Sequence, residues 1–143
     1  MTTITSQRLK QRESASKWNY RVTARQKVIQ RWEASGNRCE GCGLVVDIIE
    51  VAHLFSRGGH IIPDKYASTP ELMAALCCAK TWGNRIGCHE TIDRNVDIEL
   101  RDRLRWMAVW RFAAKHLLLF EMKPGDSPLE GIRRMVDEVE GRA

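Results

Sequence analysis

All five cysteines of the chain, and three of its four histidines, fall between Cys39 and Asp93. Cys39-Glu40-Gly41-Cys42 carries two thiols on one short stretch, and thiolates so spaced can grip a single metal ion from a tight turn. A tetrahedral site needs a second pair. Cys88 supplies one member, and either Cys77 or Cys78 the other; Cys77 is favoured because Leu76 would then pack under the site. The cysteine left over is expected to be a small buried apolar residue, a common role for a free thiol. An odd number of cysteines, in two close-set groups, reads as a structural zinc site rather than as disulfides.

Those two ends must be held together by the elements around them. Residues 1–16 are polar, with Arg8, Lys10 and Arg12 among serines and glutamines, and read as an arm ordered only on binding. Trp18–Ala34 is predicted helical: Val22, Ile29 and Trp32, with Val28 beside them, form its apolar stripe, and Gly36-Asn37 ends it. Leu44–Leu54, rich in valine and isoleucine, predicts a strand pair or a bent strand, broken by Gly58-Gly59 and Pro63. Thr69-Pro70-Glu71 reads as the start of a short helix running through Leu72, Met73 and Leu76 to the cysteines. One or two helical turns are expected over His89–Arg94. Asp97 then caps a long helix from Ile98 to about Leu119, with Leu100, Leu104, Met107 and Ala108 on one stripe and Trp106, Val109, Ala113 and Leu117 beside it. A last helix is predicted over Pro128–Val139.

Three blocks lie in order inside the cysteine window: Ala52-His53-Leu54-Phe55-Ser56-Arg57-Gly58-Gly59, then Leu76-Cys77, then Cys88-His89. Together with the preceding cysteine pair they resemble the zinc-stapled branch of the H-N-H nucleases, over roughly residues 37–95. The resemblance implies a ββα-metal core over 37–95; with the basic arm and helix over 1–36 and the C-terminal helices over 96–143, read from the residues themselves, the expected fold is α+β. It implies a metal-dependent DNA endonuclease; the alternatives are a non-catalytic zinc-stabilised nucleic-acid-binding module or a phage packaging accessory. Phosphodiester cleavage needs an activated water, charge stabilisation at the phosphate and help for the leaving oxygen. A histidine of near-neutral pKa answers the first need and one divalent cation the other two.

On that resemblance His53 is the general base. His89 and Asp93, four apart on one helix face, hold the catalytic cation, Mg²⁺, Mn²⁺ or another divalent ion. The family's usual metal ligand before the catalytic histidine is replaced here by Ala52, so the cation has one protein ligand fewer and more water, or Glu50, His60 or Asp64 stands in. The family asparagine also lacks a counterpart before the Leu-Cys step, where Glu71-Leu72 stands; Asn84, in the wider cysteine loop, is the substitute. His60 otherwise reads as a solvated loop residue, His116 as structural and the tryptophans as core.

The partner expected is DNA. Lysine and arginine outnumber aspartate and glutamate by 23 to 18, with a pI near 9.1, which favours a polyanion. Arg21, Arg25, Lys27, Arg31 and Arg57 are the candidate phosphate contacts. Phage genomes commonly carry such compact nucleases, so phage packaging proteins are possible partners by resemblance. The Met1 region has no apolar leader and no run is long enough to span a bilayer, so a cytoplasmic protein (host cytoplasm if phage-encoded) without a membrane partner is expected. At 43% hydrophobic residues the chain can bury a core, but its loop-rich middle needs a staple.

Overall fold

The computed structural model describes residues 19–55, 62–83, 85–119, 121 and 123–142; the N-terminal arm, Arg57, His60 and Asn84 lie outside them. Its centre is a two-stranded antiparallel sheet, β1 (Glu50–His53) against β2 (Met73–Leu76). In chain order the helices are α1 (19–34), α2 (Asp64–Ala67), α3 (Ala79–Trp82), α4 (Cys88–Asp93), α5 (Ile98–Lys115) and α6 (Pro128–Arg142), with a 3-10 turn at Pro70–Leu72. No described helix is long and apolar enough to cross a membrane.

The register sets Glu50 opposite Leu76, Val51 opposite Ala75, Ala52 opposite Ala74 and His53 opposite Met73. Side chains facing each other across a pair share a face, and neighbours along a strand alternate. Val51, His53, Met73 and Ala75 therefore lie on one face; Glu50, Ala52, Ala74 and Leu76 lie on the other. Packing agrees with this division. Ala24 and Val28 of α1 cluster with Met73 and Ala75, joined by Trp32, Ile49 and Val51. The opposite face belongs to the main core, with Leu104, Ala108 and Phe112 of α5 and Ile132, Met135 and Val136 of α6.

Local signals set most helix ends. Gly36 and Asn37, both at positive φ (82° and 62°), close α1. The Asp97 carboxylate accepts from the Leu100 amide at 2.9 Å and starts α5. That helix stops at Lys115 rather than near Leu119, because Leu117 turns to positive φ (53°) and is left exposed. Its buried stripe is Leu104, Ala108, Val109, Phe112 and Ala113; Met107, expected on the core side, is on the surface. The last helix, α6, runs past Val139 to Arg142.

The expected helix through Leu72, Met73 and Leu76 is instead a 3-10 turn followed by β2. Met, Ala and Leu favour helix in isolation, but all four β2 residues are buried. A strand covered on both faces reads as a continuous apolar run, without the alternation that betrays strands in sequence. Within Leu44–Leu54, only Glu50–His53 forms a strand, while Val45 makes an isolated bridge to Arg38. The stretch between Cys78 and Cys88, read as loop, opens with the single turn of α3.

Candidate metal centre and neighbouring polar clusters

The cysteine quartet sits where four pieces of chain meet. Backbone bonds Cys39 N to Leu44 O and Gly43 N to Cys39 O, both 2.9 Å, fold Cys39–Gly43 into a knuckle. The Glu40 amide donates to Ala75 O at 2.9 Å, which pins the knuckle to β2, and His89 N donates to Cys77 O at 3.0 Å, which pins α4 to the end of β2. Gly87 makes the second junction possible: a Cβ there would lie 2.5 Å from Cys77 O and Cys78 N, closer than packed atoms allow. From α5, the Arg103 guanidinium donates to Gly41 O.

This arrangement brings the sulfurs of Cys39, Cys42, Cys77 and Cys88 within 4.8 Å of one another. Cys42 and Cys77 Sγ are 3.9 Å apart. With metal–sulfur bonds of about 2.3 Å, a tetrahedral zinc site spaces its sulfurs by roughly 3.8 Å, so the four could hold a metal such as zinc. Cys78 is outside the quartet. It is fully buried, its sulfur 3.6 Å from Thr81 Oγ1, because the extended backbone turns successive side chains to opposite sides.

Amide hydrogens supply the electrostatic support that thiolates require. Gly41 N and Cys77 N approach Cys39 Sγ at 3.3 Å, Cys42 N approaches it at 3.5 Å, and Cys88 N lies 3.3 Å from Cys77 Sγ. The Cys88 thiol donates to Cys39, which with these amides holds the Cys39 thiol well below its ordinary pKa despite burial. The same bond, together with burial, pushes Cys88 up. Burial raises Cys42 as well.

A second cluster adjoins the quartet on the main-core face of the hairpin. His89, next to Cys88, has Nδ1 2.8 Å from Glu50 Oε2 and Nε2 3.3 Å from Asp93 Oδ2. Glu50, His89 and Glu90 each offer a ligand atom within 4.8 Å of the others, a mixed nitrogen and oxygen set suited to a divalent cation. Glu90 already accepts the Gly87 amide at 2.7 Å. The hydrogen bond from His89 lowers the Glu50 pKa against its partial burial. Of the described candidates for the ligand missing at Ala52, Glu50 and Asp64, Glu50 reaches His89. Ala52 itself is buried.

His53 is elsewhere. It lies on the α1 face, with Nε2 3.1 Å from Ser68 Oγ; the Ser68 hydroxyl donates to Asp64 Oδ1 at 3.1 Å. Asp64 also accepts from the Tyr20 hydroxyl and from Arg21, at 3.2 Å from Nε and 3.1 Å from Nη2. Burial pushes this carboxyl up, but the bonds from Arg21, Tyr20 and Ser68 outweigh it and hold its pKa at about 2. Three strand residues, roughly 10 Å, separate His53 from Glu50 along β1. The histidine expected as general base and the one expected on the cation are thus on opposite faces of the hairpin.

The basic residues expected at DNA also divide. Arg25 and Lys27 are exposed on α1. Arg21 is engaged with Asp64. Arg31 is turned inward, bidentate to Glu40 (2.9 and 3.1 Å to Oε1) and donating to Pro70 O and Met73 O, both at 2.7 Å. Its partners make it a structural residue in place of the phosphate contact expected. Glu40, Arg111 and Ser68 carry much of this wiring and had no local signal in the sequence beyond the spacing of Ser68 four residues after Asp64. No protein-family model, no curated protein and no solved structure matches the chain.

Proposed function

We propose that the chain is a zinc-stapled, metal-dependent DNA endonuclease of the H-N-H type. The observation that carries this reading is a strand–strand–helix order with the chemistry in sequence along it. His53 is on β1, β2 runs into Cys77, and α4 opens on Cys88-His89, tied back to β2 by the cysteine quartet. In this reading the quartet binds zinc as a staple, contributing folding free energy that the short sheet cannot supply. His89, with Glu50 in the place of the ligand missing at Ala52 and Glu90 or Asp93 beside it, would hold the catalytic cation. When bound, a divalent ion supplies Lewis-acid stabilisation of the phosphate and the leaving oxygen. His53 accepts the proton of the attacking water. Among the described residues β1 is paired along one edge only. A DNA strand laid along the other edge would meet His53 from one face and the Glu50–His89 cluster from the other. Arg25 and Lys27 add electrostatic attraction.

A second reading is a non-catalytic zinc module that binds nucleic acid. The specific observation in its favour is the placement of His53 and His89 on opposite faces of the hairpin. Nicking of supercoiled plasmid with and without Mn²⁺ separates the two. On the first reading, His53→Ala lowers the rate by roughly two to four orders of magnitude while the protein stays folded, and His89→Ala is partly restored by high Mn²⁺. Binding without nicking selects the zinc module. Neither binding nor nicking points to a protein adaptor such as a phage packaging accessory.

A further inference from the structure

We infer that Ser68 and Asp64 are positioning residues for His53, and that α1, through Tyr20 and Arg21, is part of the same device. The proton directions follow from valence. Asp64, held by two donors from α1, is an acceptor only, so the single Ser68 hydroxyl hydrogen goes to Oδ1. Ser68 Oγ then has only lone pairs for His53, and the 3.1 Å contact is a bond donated by His53 Nε2–H. That places the proton of the neutral ring on Nε2. Ser68 is 1% exposed and is the one buried polar residue among the described core, so water does not compete for these bonds.

The chain of contacts joins three elements that the backbone alone leaves loosely related: the end of β1, the turn after α2, and the first described turn of α1. A histidine at a strand end next to a loop has several rotamers available; one that donates to a buried hydroxyl, itself locked by a carboxylate, has one. That is how a side chain is held for proton transfer. The expected role of His53 rests on the nuclease reading, whereas the tautomer and the hold can be measured without any cleavage.

The test uses the full-length, zinc-loaded chain labelled with ¹⁵N-histidine, observed by NMR at neutral pH, alongside plasmid nicking. Wild type should show a His53 Nε2–H protected from exchange with water. Ser68→Ala should remove that protection, speeding exchange at least about tenfold, and Ser68→Thr should keep it. In nicking, Ser68→Ala should lower kcat by roughly ten- to a hundredfold with KM nearly unchanged, and Ser68→Thr should recover most of it. Asp64→Asn, which preserves shape, should loosen the ring in the same direction and serves if Ser68→Ala does not fold. Equal exchange in wild type and both variants, or a His53 ring protonated on Nδ1 instead, overturns the inference. So does a drop in kcat that Ser68→Thr fails to repair in folded protein. If wild type shows the protected Nε2–H yet cuts no DNA, the hold on His53 stands and the nuclease reading falls.

Discussion

Glu40 lies inside the first cysteine pair, yet its side chain turns away from the sulfurs and into a knot of two arginines. It receives Arg31 at 2.9 and 3.1 Å on Oε1 and 3.2 Å on Oε2, the Ala75 amide at 3.2 Å, and the Arg111 guanidinium at 3.6 Å. Arg111 in turn donates to Glu71 O at 3.0 Å and Met73 O at 3.2 Å. Burial and the nearby Arg31 charge pull the Arg111 pKa down to about 10, so the knot is held together by one carboxylate against two cations. Glu40→Gln keeps the shape and removes that charge. Uncompensated buried charge costs about 3–5 kcal/mol. The side chains of Arg31 and Arg111 are 31% and 24% exposed, so water relieves part of it and the low end, about 3 kcal/mol, applies. For a chain of this size that lowers Tm by roughly 10 °C. The assay is thermal unfolding of zinc-saturated protein, with Arg25→Gln, an exposed change on the same helix as Arg31, as the control expected within about 0.5 kcal/mol. Arg31→Met combined with Glu40→Gln should cost less than the two added, because the pair shares one interaction. A Glu40→Gln Tm within about 2 °C of wild type would refute the reasoning.

Other consequences are simpler to check. Elemental analysis should find about one zinc per chain, lost in Cys39→Ser and Cys88→Ser but retained in Cys78→Ser; loss in Cys78→Ser would mean that the quartet has been drawn with the wrong fourth thiol. Because the Asp64 pKa is depressed to about 2, its contribution to stability is complete above the unfolded value near 4 and disappears as pH falls through about 2. Wild type should therefore exceed Asp64→Asn by roughly 2 kcal/mol at neutral pH and converge on it in acid; parallel pH profiles would contradict this. Charge reversal at Arg25 and Lys27 should weaken duplex DNA binding and flatten its salt dependence without altering sequence preference; an unchanged slope would remove α1 from the contact surface.

Features with local causes were legible in the sequence. The Cys39–Cys42 spacing, the Gly36-Asn37 stop, the Asp97 cap and the apolar periods of α1 and α5 all act within a few residues, and the corresponding elements are present. What could not be read is non-local. Met73-Ala74-Ala75-Leu76 becomes a strand only because β1 and two layers of helix enclose it. The Glu40 knot needs side chains from α1, the cysteine knuckle and α5 at once. Met107 and Leu117 fit the expected stripe of α5, but Met107 is on the surface, Leu117 lies past the helix end at positive φ, and Phe112 is buried.

The misread strand and the unexpected layout of the polar residues have one cause. Read as helix, Leu72–Leu76 would present the cysteines from a rotating surface and leave β1 without a partner. As a strand in fixed register, β2 assigns every β1 side chain to a face: Glu50, opposite Leu76, goes to the side where α4 brings His89, and His53, opposite Met73, goes to the side where α1 brings Tyr20 and Arg21. A shift of one residue would exchange the two. Ala74 and Ala75, buried on opposite faces beneath different helices, oppose such a slip, since the change would drive Glu50 into the α1 cluster and Val51 out of it. The separation of the two histidines is thus a property of the pairing register, set by the smallest side chains in the sheet.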